Sequence, residues 1–386
     1  MSQAIKINYY DAFKCTADKC HFNCCQQWRI AIDEETIDKW QGKSLKAVDL
    51  EYEKLPALDL CNCLKDDDAG KILAFDENKY CPFLNGKGLC RLVSEIGEDM
   101  LAETCTTFPR QINDFRNRVE YSLDACCPAV IDMMYSNKEV SFINSQLQEE
   151  DLLFMTRQMM IDIVNNRTYT IPECMMMIFY GLHDLLGKRK LQAFHITSCS
   201  TKEYLEELAM AIRNMPCDRY ESLIEQNELF LDVVENYRKN ELYVDYLEEI
   251  SQLAETLELN YEEEVLLEKA SNFETAFASY ENLMRNYLVA ELFGNSLVED
   301  MTLTNLVASF EWITMEYVAM KQGIFLKWLL LGEEKLSYEV VRDYIMIISR
   351  VTGYDHEDIM TYLENSFEDI IWDWGYLALA IGNGKN

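Results

Sequence analysis

The stretch YYDAFKCTADKCHFNCCQQWRIAID, residues 9–33, places four thiols in one short segment. They are Cys15, Cys20, Cys24 and Cys25, and a short apolar run follows them. Eleven of the 14 cysteines of the chain lie in the first 127 residues. One cysteine is often a small buried hydrophobe, but thiols clustered in this number suit soft metals such as zinc and iron in iron–sulfur clusters. The segment therefore indicates a metal-binding N-terminal module.

The expected compartment supports the same interpretation of the thiols. No run of 18 apolar residues predicts a membrane span, and the N-terminal residues lack the basic-then-apolar pattern of a signal peptide. We therefore expect a cytoplasmic protein with no membrane attachment. Disulfides are rare in that compartment, so clustered cysteines there are better interpreted as metal-binding or redox groups.

The formal net charge of −32 is unevenly distributed. Residues 1–130 hold 16 Lys and Arg against 22 Asp and Glu, whereas residues 131–386 hold 19 against 45. The net charges of the two parts are thus −6 and −26. Such a surface repels nucleic-acid phosphates and anionic lipid and attracts a cationic partner, although it also serves solubility alone. We expect no nucleic-acid partner.

The second part of the chain has the pattern of packed helices. Proline is absent after Pro216. The segment NFETAFASYENLMRNYLVAELF repeats apolar residues at three-to-four-residue steps, the period of one helix face; they are Phe273, Phe277, Tyr280, Met284, Tyr287 and Leu288. We predict a mainly α protein in which a Cys-rich, loop-heavy metal-binding module, residues 1–130, packs on an acidic helical domain, residues 131–386. No Gly/Ser/Pro-rich linker separates the two parts, so close packing is expected.

The cysteine spacing leaves the metal open. The run Cys15-x4-Cys20-x3-Cys24-Cys25 differs from the plant-type ferredoxin spacing of x4 then x2, and the radical-type C-x3-C-x2-C would need a cysteine at Gln27. Adjacent cysteines tend to point apart, so Cys24 and Cys25 could bind different irons or leave one thiol free. The long gaps between the other cysteines favour a site that tertiary structure closes, with zinc or iron–sulfur as the metal.

Three segments carry a resemblance to a known family. FKCTADKCHFNCCQQWRIAID, CPFLNGKGLCRLVSEIGEDMLAETCTTFPR and CCPAV resemble, in this order, the flagellin lysine-N-methylase (FliB) family and related proteins with an iron- or zinc-chelating CxxCxxCC motif. The helical segments ENLMRNYLVAELF and FEWITMEYVAMK are similar to further segments of that family. In one departure, Ala129 follows Cys127-Pro128 where the family has an acidic residue.

The resemblance implies a protein-lysine N-methyltransferase that uses S-adenosylmethionine and carries a Cys-ligated iron–sulfur cluster, four-iron in type, with zinc as the alternative metal. The family pattern is matched by eight cysteines, which are the expected metal ligands: Cys15, Cys20, Cys24, Cys25, Cys81, Cys90, Cys105 and Cys127. Asn286 and Tyr287 match the family's Asn-Tyr pair, and we assign Tyr287 to catalysis and Asn286 to cofactor binding. Core packing is the alternative role of Tyr287.

Arg110 is a further candidate, because a guanidinium can hold the carboxylate of the methyl donor in bidentate fashion. A structural ion pair is its alternative role. No glycine-rich strand–turn–helix is visible, so a Rossmann methyltransferase fold is not supported. The expected partner is flagellin or another lysine-rich protein surface. The second function hypothesis is a non-catalytic zinc- or iron-binding protein with a helical protein-interaction domain.

Overall fold

The structure, a computed structural model, describes residues 3–50, 53–67, 70–143, 151–333, 335–351, 356–367 and 374–382. The strands are β1 Gln3–Ile7, β2 Ser44–Leu45, β3 Val48–Leu50, β4 Glu53–Leu55, β5 Leu58–Asp59, β6 Leu64–Asp67, β7 Gly70–Leu73, β8 Arg110–Asp114, β9 Arg118–Leu123 and β10 Phe142–Ile143. The helices of the N-terminal part are α1 Glu34–Trp40, α2 Arg91–Glu95, α3 Glu103–Thr107 and α4 Pro128–Ser136.

From residue 151 onward the described chain is helical, which confirms the predicted mainly α architecture. These helices are α5 Leu152–Asn165, α6 Ile171–Leu186, α7 Ala193–Ser198, α8 Lys202–Asn214, α9 Arg219–Lys239, α10 Val244–Glu255, α11 Leu257–Asn260, α12 Glu263–Phe277, α13 Glu281–Asn295, α14 Leu303–Leu330, α15 Tyr338–Val351, α16 His356–Phe367 and α17 Trp374–Ile381. Single-turn 3₁₀ helices lie at Tyr10–Ala12, Ala17–Lys19, Cys61–Cys63, Glu98–Met100 and Ala278–Tyr280.

One four-stranded sheet, in the order β10-β1-β9-β8, anchors the N-terminal part. Strand β1 pairs in parallel with β9, with Lys6 opposite Tyr121, and antiparallel with β10. Ile5 and Ile7 are buried in the main core, because alternate side chains of a strand point to the same face. A parallel pair requires a long crossover. The cysteine-rich segment between β1 and β9 forms that crossover, and we call it the excursion.

The excursion has a small core of its own, separate from the main one. Trp40 and Phe83 pack edge to face in it, with their ring centroids 5.4 Å apart. The indole nitrogen of Trp40 donates a hydrogen bond to the carbonyl of Met100 at 2.9 Å. Cys63 and Cys81 are buried among these side chains. The stretches around Trp40 and around Met100 are thus held together next to several of the cysteines.

Helix α14 is the centre of the helical domain. It packs against α9 and α15 and also contacts α6, α10, α13 and α16. A capping box begins it, in which Thr302 and Asn305 bond each other's backbone N–H groups. Its residues are buried on every face, as expected for a helix surrounded by others. The carboxyl side chains of Glu311 and Glu316 are also buried there.

The predicted apolar stripe of residues 273–288 is buried as expected, but it is divided between two helices. α12 ends at Phe277, α13 begins at Glu281, and the 3₁₀ turn Ala278–Tyr280 lies between them. At this turn the hydroxyl of Tyr280 donates to the carbonyl of Leu336 at 3.0 Å. The core face could be predicted from periodicity, but the break between the two helices could not.

The predicted boundary between residues 130 and 131 lies inside α4. That helix packs against α13 and α15, and β9 also packs against α13, so the two parts are in close contact. The division into two domains stays a prediction. Within the part of the chain that the structure describes, no helix is both long and apolar enough to span a bilayer.

Candidate metal centre

Five cysteines form what we call the first thiol group: Cys24, Cys25, Cys81, Cys90 and Cys105. Its first part arises because residues 24–27 run antiparallel to residues 79–81. The Cys81 N–H donates to the Cys25 carbonyl at 2.8 Å, and the Gln27 N–H donates to the Lys79 carbonyl at 2.8 Å. Cys25 is thereby held beside Cys81, although 55 residues separate them in the sequence.

The loop CPFLNGKGLC returns the chain from Cys81 to Cys90. Its turn is closed by the Gly88 N–H, which donates to the Asn85 carbonyl at 2.9 Å, and by the Leu89 N–H, which donates to the Asn85 side chain at 3.0 Å. Gly88 has a φ of +73°, a left-handed conformation that glycine adopts without strain. Next to Cys90, the buried guanidinium of Arg91 donates to two loop carbonyls and fixes the start of α2.

The thiols of this group influence one another. The neighbouring Cys25 thiol and burial raise the pKa of Cys24, and the Cys81 thiol and burial raise the pKa of Cys25 against the lowering effect of Cys24. The prediction that Cys24 and Cys25 bind different irons or leave one thiol free stays a prediction. Burial, together with the fields of Cys24 and Cys90, raises the pKa of Cys105, carried by α3, to about 12.

A second thiol group consists of Cys15, Cys20 and Cys127. Cys127 immediately precedes α4, and burial raises the pKa of its thiol to about 12 against the lowering effect of two helix N–H groups. The field of Cys20 reaches Cys127, and that of Cys15 reaches Cys20. Cys15 is exposed and accepts a hydrogen bond from the Ala17 N–H at 3.4 Å. The eight predicted ligands are thus divided between two groups.

Arg350 of α15 lies near both thiol groups, and no sequence motif pointed to it. The pKa of the Cys20 and Cys127 thiols is raised by burial, and that of the Cys24 thiol by Cys25 and by burial; the field of Arg350 opposes each rise. Its buried guanidinium donates to the carbonyls of Cys126 at 2.9 Å and Phe22 at 3.0 Å, and a third bond goes to Tyr243. A single arginine on an otherwise apolar helix stripe was the only sign of it in the sequence.

The donor chemistry of the first thiol group fits a soft metal. Among residues within the described ranges, however, no three Cys, His, Asp or Glu side chains lie close enough together to hold one metal ion. A single zinc ion with Zn–S bonds of about 2.3 Å would require the thiols to move inward. An iron–sulfur cluster has several irons and sulfides at its centre, so it accepts thiolates that are farther apart.

The other predicted site residues lie in separate places. Tyr287 is fully buried in α13, and its hydroxyl donates to Glu316 at 3.4 Å. It therefore has both a packing role and a polar contact. Arg110 is exposed at the start of β8, with its guanidinium carbon 5.2 Å from the centroid of the Phe13 ring. Its assignment to the methyl donor stays a prediction.

Asn286 joins α13 to the end of α4. Its side-chain oxygen accepts from the Val140 N–H at 3.1 Å, and its nitrogen donates to the carbonyls of Met134 and Asn137, each at 2.9 Å. The assigned cofactor-binding role of Asn286 also stays a prediction. These three contacts give its side chain a structural role in either case.

Comparisons with known proteins place this architecture in one family. Residues 157–380 match the family model of the FliB lysine N-methylase C-terminal domain. The chain is 28% identical over 136 residues to a lysine-N-methylase of Salmonella typhimurium, and 27% identical over 136 residues to one of Salmonella choleraesuis. Each alignment covers 35% of this chain and 33% of the relative, so it spans about a third of those proteins.

A third relative is the flagellar biosynthetic protein FliU of Salmonella muenchen. It is 30% identical over 129 residues, which are 33% of this chain and 73% of that protein. No solved structure matches the chain. Because the family model covers more than half of the sequence, the chain belongs to the FliB lysine N-methylase family.

Proposed function

We propose that this chain transfers a methyl group from S-adenosylmethionine to the ε-amines of lysines on flagellin. The observation that carries the proposal is the match of residues 157–380 to the C-terminal domain of the lysine N-methylases. Two similar proteins are named as lysine-N-methylases, and a third is named as flagellar. The use of S-adenosylmethionine and of flagellin as the substrate goes beyond that match. These two parts of the proposal rest on the resemblance of the cysteine segments to the family.

The proposed reaction is a direct displacement. The lone pair of a neutral lysine amine forms a bond to the methyl carbon, the carbon–sulfur bond breaks, and its electron pair stays on sulfur as S-adenosylhomocysteine forms. A lysine amine has an ordinary pKa near 10.4, so deprotonation at pH 7 costs roughly 4.6 kcal/mol. An apolar or carboxylate-lined site would reduce this cost, because desolvation lowers the pKa of a lysine and a carboxylate can accept its proton.

We assign a four-iron cluster to the first thiol group, which offers five thiols for the four ligand positions. The backbone bond from Cys81 to Cys25 and the mutual effects of the Cys24, Cys25 and Cys81 thiols on their pKa values support this assignment. When bound, the cluster would supply a cross-link among residues 24–25, 81–90 and 105, which adds to folding stability. The second thiol group then contains spare cysteines or ligands for another site. Zinc in the first thiol group is the alternative.

The proposed protein substrate is lysine-bearing flagellin, reached in the cytoplasm. The charge of −26 on residues 131–386 supports attraction of a cationic protein surface. The competing function is a zinc- or iron-binding protein without catalysis. Both functions include a metal, so metal content alone does not separate them, whereas binding of the methyl donor does.

The test uses anaerobically purified full-length chain, flagellin from the same cell and S-adenosylmethionine with a labelled methyl group. We expect label in flagellin lysines and one S-adenosylhomocysteine per methyl transferred. Calorimetry with S-adenosylmethionine and no flagellin provides the separate donor-binding measurement. A chain that binds metal but neither binds the donor nor labels flagellin would support the non-catalytic alternative.

A further inference from the structure

Three carboxyl side chains meet at the seam between the sheet and the helical domain. We call Asp124, Glu291 and Glu316 the carboxylate cluster. Asp124 follows β9, Glu291 lies on α13 and Glu316 lies on α14. Burial raises the pKa of Glu291 well above its ordinary value, and the fields of Glu316 and Asp124 raise it further. The three groups are therefore close enough to oppose each other's ionisation.

Two tyrosine hydroxyls face the same place. Tyr287 donates to Glu316 at 3.4 Å. Tyr9 is 4% exposed, its hydroxyl has no hydrogen-bond partner, and the field of Glu291 reaches it. A buried hydroxyl without a partner costs roughly 1–3 kcal/mol. A ligand in the carboxylate cluster would give this hydroxyl a partner.

Polar side chains connect the cluster to the surface. Asp124, Gln111 and Asn295 are only partly buried. The Gln111 amide nitrogen donates to Asn295 at 2.9 Å and to Asp124 at 3.4 Å, and the Asn295 amide donates to Glu291. These two amides form a polar mouth that must open for a ligand to enter, and their hydrogen bonds lead from solvent to the buried Glu291.

The sheet and α13 approach unusually closely beside this mouth. A Cβ on Gly294 would lie 2.8 Å from the Gln111 side-chain oxygen and 2.9 Å from the Ser122 hydroxyl. The Asn113 amide also donates to the Gly294 carbonyl at 2.7 Å. With the mouth closed, Gln111 contacts both the neighbouring strand and α13. Hydrogen bonds thus position the side chains that would move when the mouth opens.

A cation whose field reaches the cluster is engaged elsewhere. Burial raises the pKa of Asp124 and the field of Arg350 opposes this rise, yet the guanidinium donates to the carbonyls of Cys126 and Phe22 and to the Tyr243 hydroxyl. Within the described ranges, no three side chains of the cluster lie close enough together to bind one metal ion. An ammonium group has three N–H donors that reach acceptors at about 2.8–3.0 Å, so it suits this wider arrangement.

We propose that the carboxylate cluster binds the acceptor lysine, with Glu291 and Glu316 on either side of its nitrogen and Tyr9 and Tyr287 as hydroxyl partners. This inference rests on the proposed function, which supplies the acceptor. A proton passes from the ammonium to the carboxylate of Glu291 or Glu316, which becomes a carboxylic acid, and the neutral amine then attacks the methyl carbon as the carbon–sulfur bond breaks. The four methylenes of the lysine side chain pass between Gln111 and Asn295.

The test measures binding of n-butylammonium, which copies the end of a lysine side chain, by its effect on the melting temperature of the full-length protein. Tetramethylammonium, a cation without N–H donors, is the ligand control. We expect n-butylammonium alone to raise the melting temperature. The variants Glu291→Gln and Glu316→Gln should weaken its binding on the order of 10- to 100-fold, because each removes a hydrogen bond to a charged partner.

The matched control is Glu207→Gln, which removes an exposed carboxylate on α8 and should bind n-butylammonium like the unmodified chain. Tyr9→Phe is included because it should not disturb folding. It removes an unpartnered hydroxyl and keeps the shape of the aromatic ring. We expect it to fold at least as stably as the unmodified chain and yet bind the amine more weakly. Equal amine binding by Tyr9→Phe, Glu291→Gln and the unmodified chain would overturn the proposal.

Methyl transfer is measured in parallel, so that the two proposals can fail separately. If the unmodified chain transfers no methyl to flagellin but binds n-butylammonium through Glu291, the proposed function fails and the amine site stands. If the unmodified chain transfers methyl and Glu291→Gln leaves the KM for flagellin and kcat unchanged, the amine site fails and the proposed function stands.

Discussion

The guanidinium carbon of Arg350 lies 5.0 Å from the centroid of the Trp28 indole ring. The indole nitrogen of Trp28 donates in turn to the Cys24 carbonyl at 2.8 Å. A buried cation of the helical domain is therefore one side chain away from the first thiol group. A cluster held by four thiolates carries net negative charge, and a fixed cation at this distance would stabilise it.

The first prediction follows from the shape of that cation. Arg350→Lys keeps the charge but replaces a planar guanidinium, whose donors are spread over three nitrogens, with one nitrogen on a differently shaped side chain. That single nitrogen cannot reproduce the bonds to both buried carbonyls and the Tyr243 hydroxyl, so it leaves these groups with weakened partners. We expect the free energy of unfolding to fall by about 2–3 kcal/mol, measured by urea denaturation. Arg116→Lys, at an exposed arginine paired with Glu299, should change it by less than about 1 kcal/mol. Equal effects of the two substitutions would contradict this account.

The second prediction concerns the metal. Protein purified without oxygen should be brown and contain iron and acid-labile sulfide, measured by colorimetric assay. Cys105→Ser should lose most of both, because hydroxyl is a poor replacement for a soft thiolate. Cys217→Ser, which changes a cysteine of the helical domain outside both thiol groups, should keep both. Stoichiometric zinc without sulfide in the unmodified chain would show that zinc is the metal instead.

The third prediction uses the start of α6. Burial raises the pKa of Glu173, but its hydrogen bonds from Arg213 and from the Thr170 N–H lower the pKa by more, so the net shift is downward. A carboxyl group with a lowered pKa stabilises the fold above its unfolded pKa, near 4.3, and loses this contribution as the pH falls through its folded pKa. Acid should therefore remove the contribution of Glu173.

We expect Glu173→Gln to lower the free energy of unfolding by about 1 kcal/mol at pH 7, since the amide can still cap the helix but cannot pair with Arg213. Urea denaturation should show this difference from the unmodified chain shrinking as the pH falls below about 4.3. Glu203→Gln, at an exposed position of α8, is the control. A difference that stays constant from pH 7 to acid would rule out the charge as its cause.

The fourth prediction concerns the reaction. An amine must be neutral to attack, so the initial rate of methyl transfer should rise between pH 7 and pH 9. S-adenosylhomocysteine should form, and no external reductant should be needed. Detection of 5′-deoxyadenosine as a product would overturn the displacement mechanism.

Tyr287→Phe tests the catalytic assignment within that reaction. Loss of the hydroxyl that contacts Glu316 should slow methyl transfer on the order of 10- to 100-fold. The control is Tyr344→Phe, at another buried tyrosine whose hydroxyl donates to the Tyr246 carbonyl. If both variants slow transfer equally, Tyr287 acts through packing alone.

The fifth prediction concerns encounter with the protein substrate. Attraction between the acidic helical domain and a lysine-bearing surface is screened within about 10 Å at 0.1 M salt. The apparent affinity for flagellin, measured by titration at increasing sodium chloride, should therefore fall. An affinity that is unchanged from low to high salt would show that the charge serves solubility only.

The helical domain could be predicted from the sequence because apolar residues repeat at the helix period over long stretches. The thiol groups could be predicted only as one set. Their division depends on the pairing of residues 24–27 with 79–81 and on Arg350 from a distant helix. Neither relationship has a local sequence pattern, since both arise when the excursion from the sheet closes on α15.

The carboxylate cluster also could not be predicted from the sequence. Glu291 and Glu316 lie in apolar helical segments of an acidic chain, where one glutamate resembles any other until its burial is known. Asp124 lies two residues before Cys126 and belongs to no motif that the sequence singled out. The predicted Tyr287 was the single residue of this seam that the sequence singled out.

The parallel pairing of β1 with β9 has a consequence for synthesis of the chain. About 110 residues separate the end of β1 from the start of β9. A ribosome that adds 5–20 residues each second needs roughly 5–20 s for this length. During that time the alternating isoleucines of β1 have no partner strand, and the thiols of the excursion are made before Arg350 exists. We therefore expect the nascent N-terminal part to expose apolar and thiol side chains until the helical domain emerges to cover it.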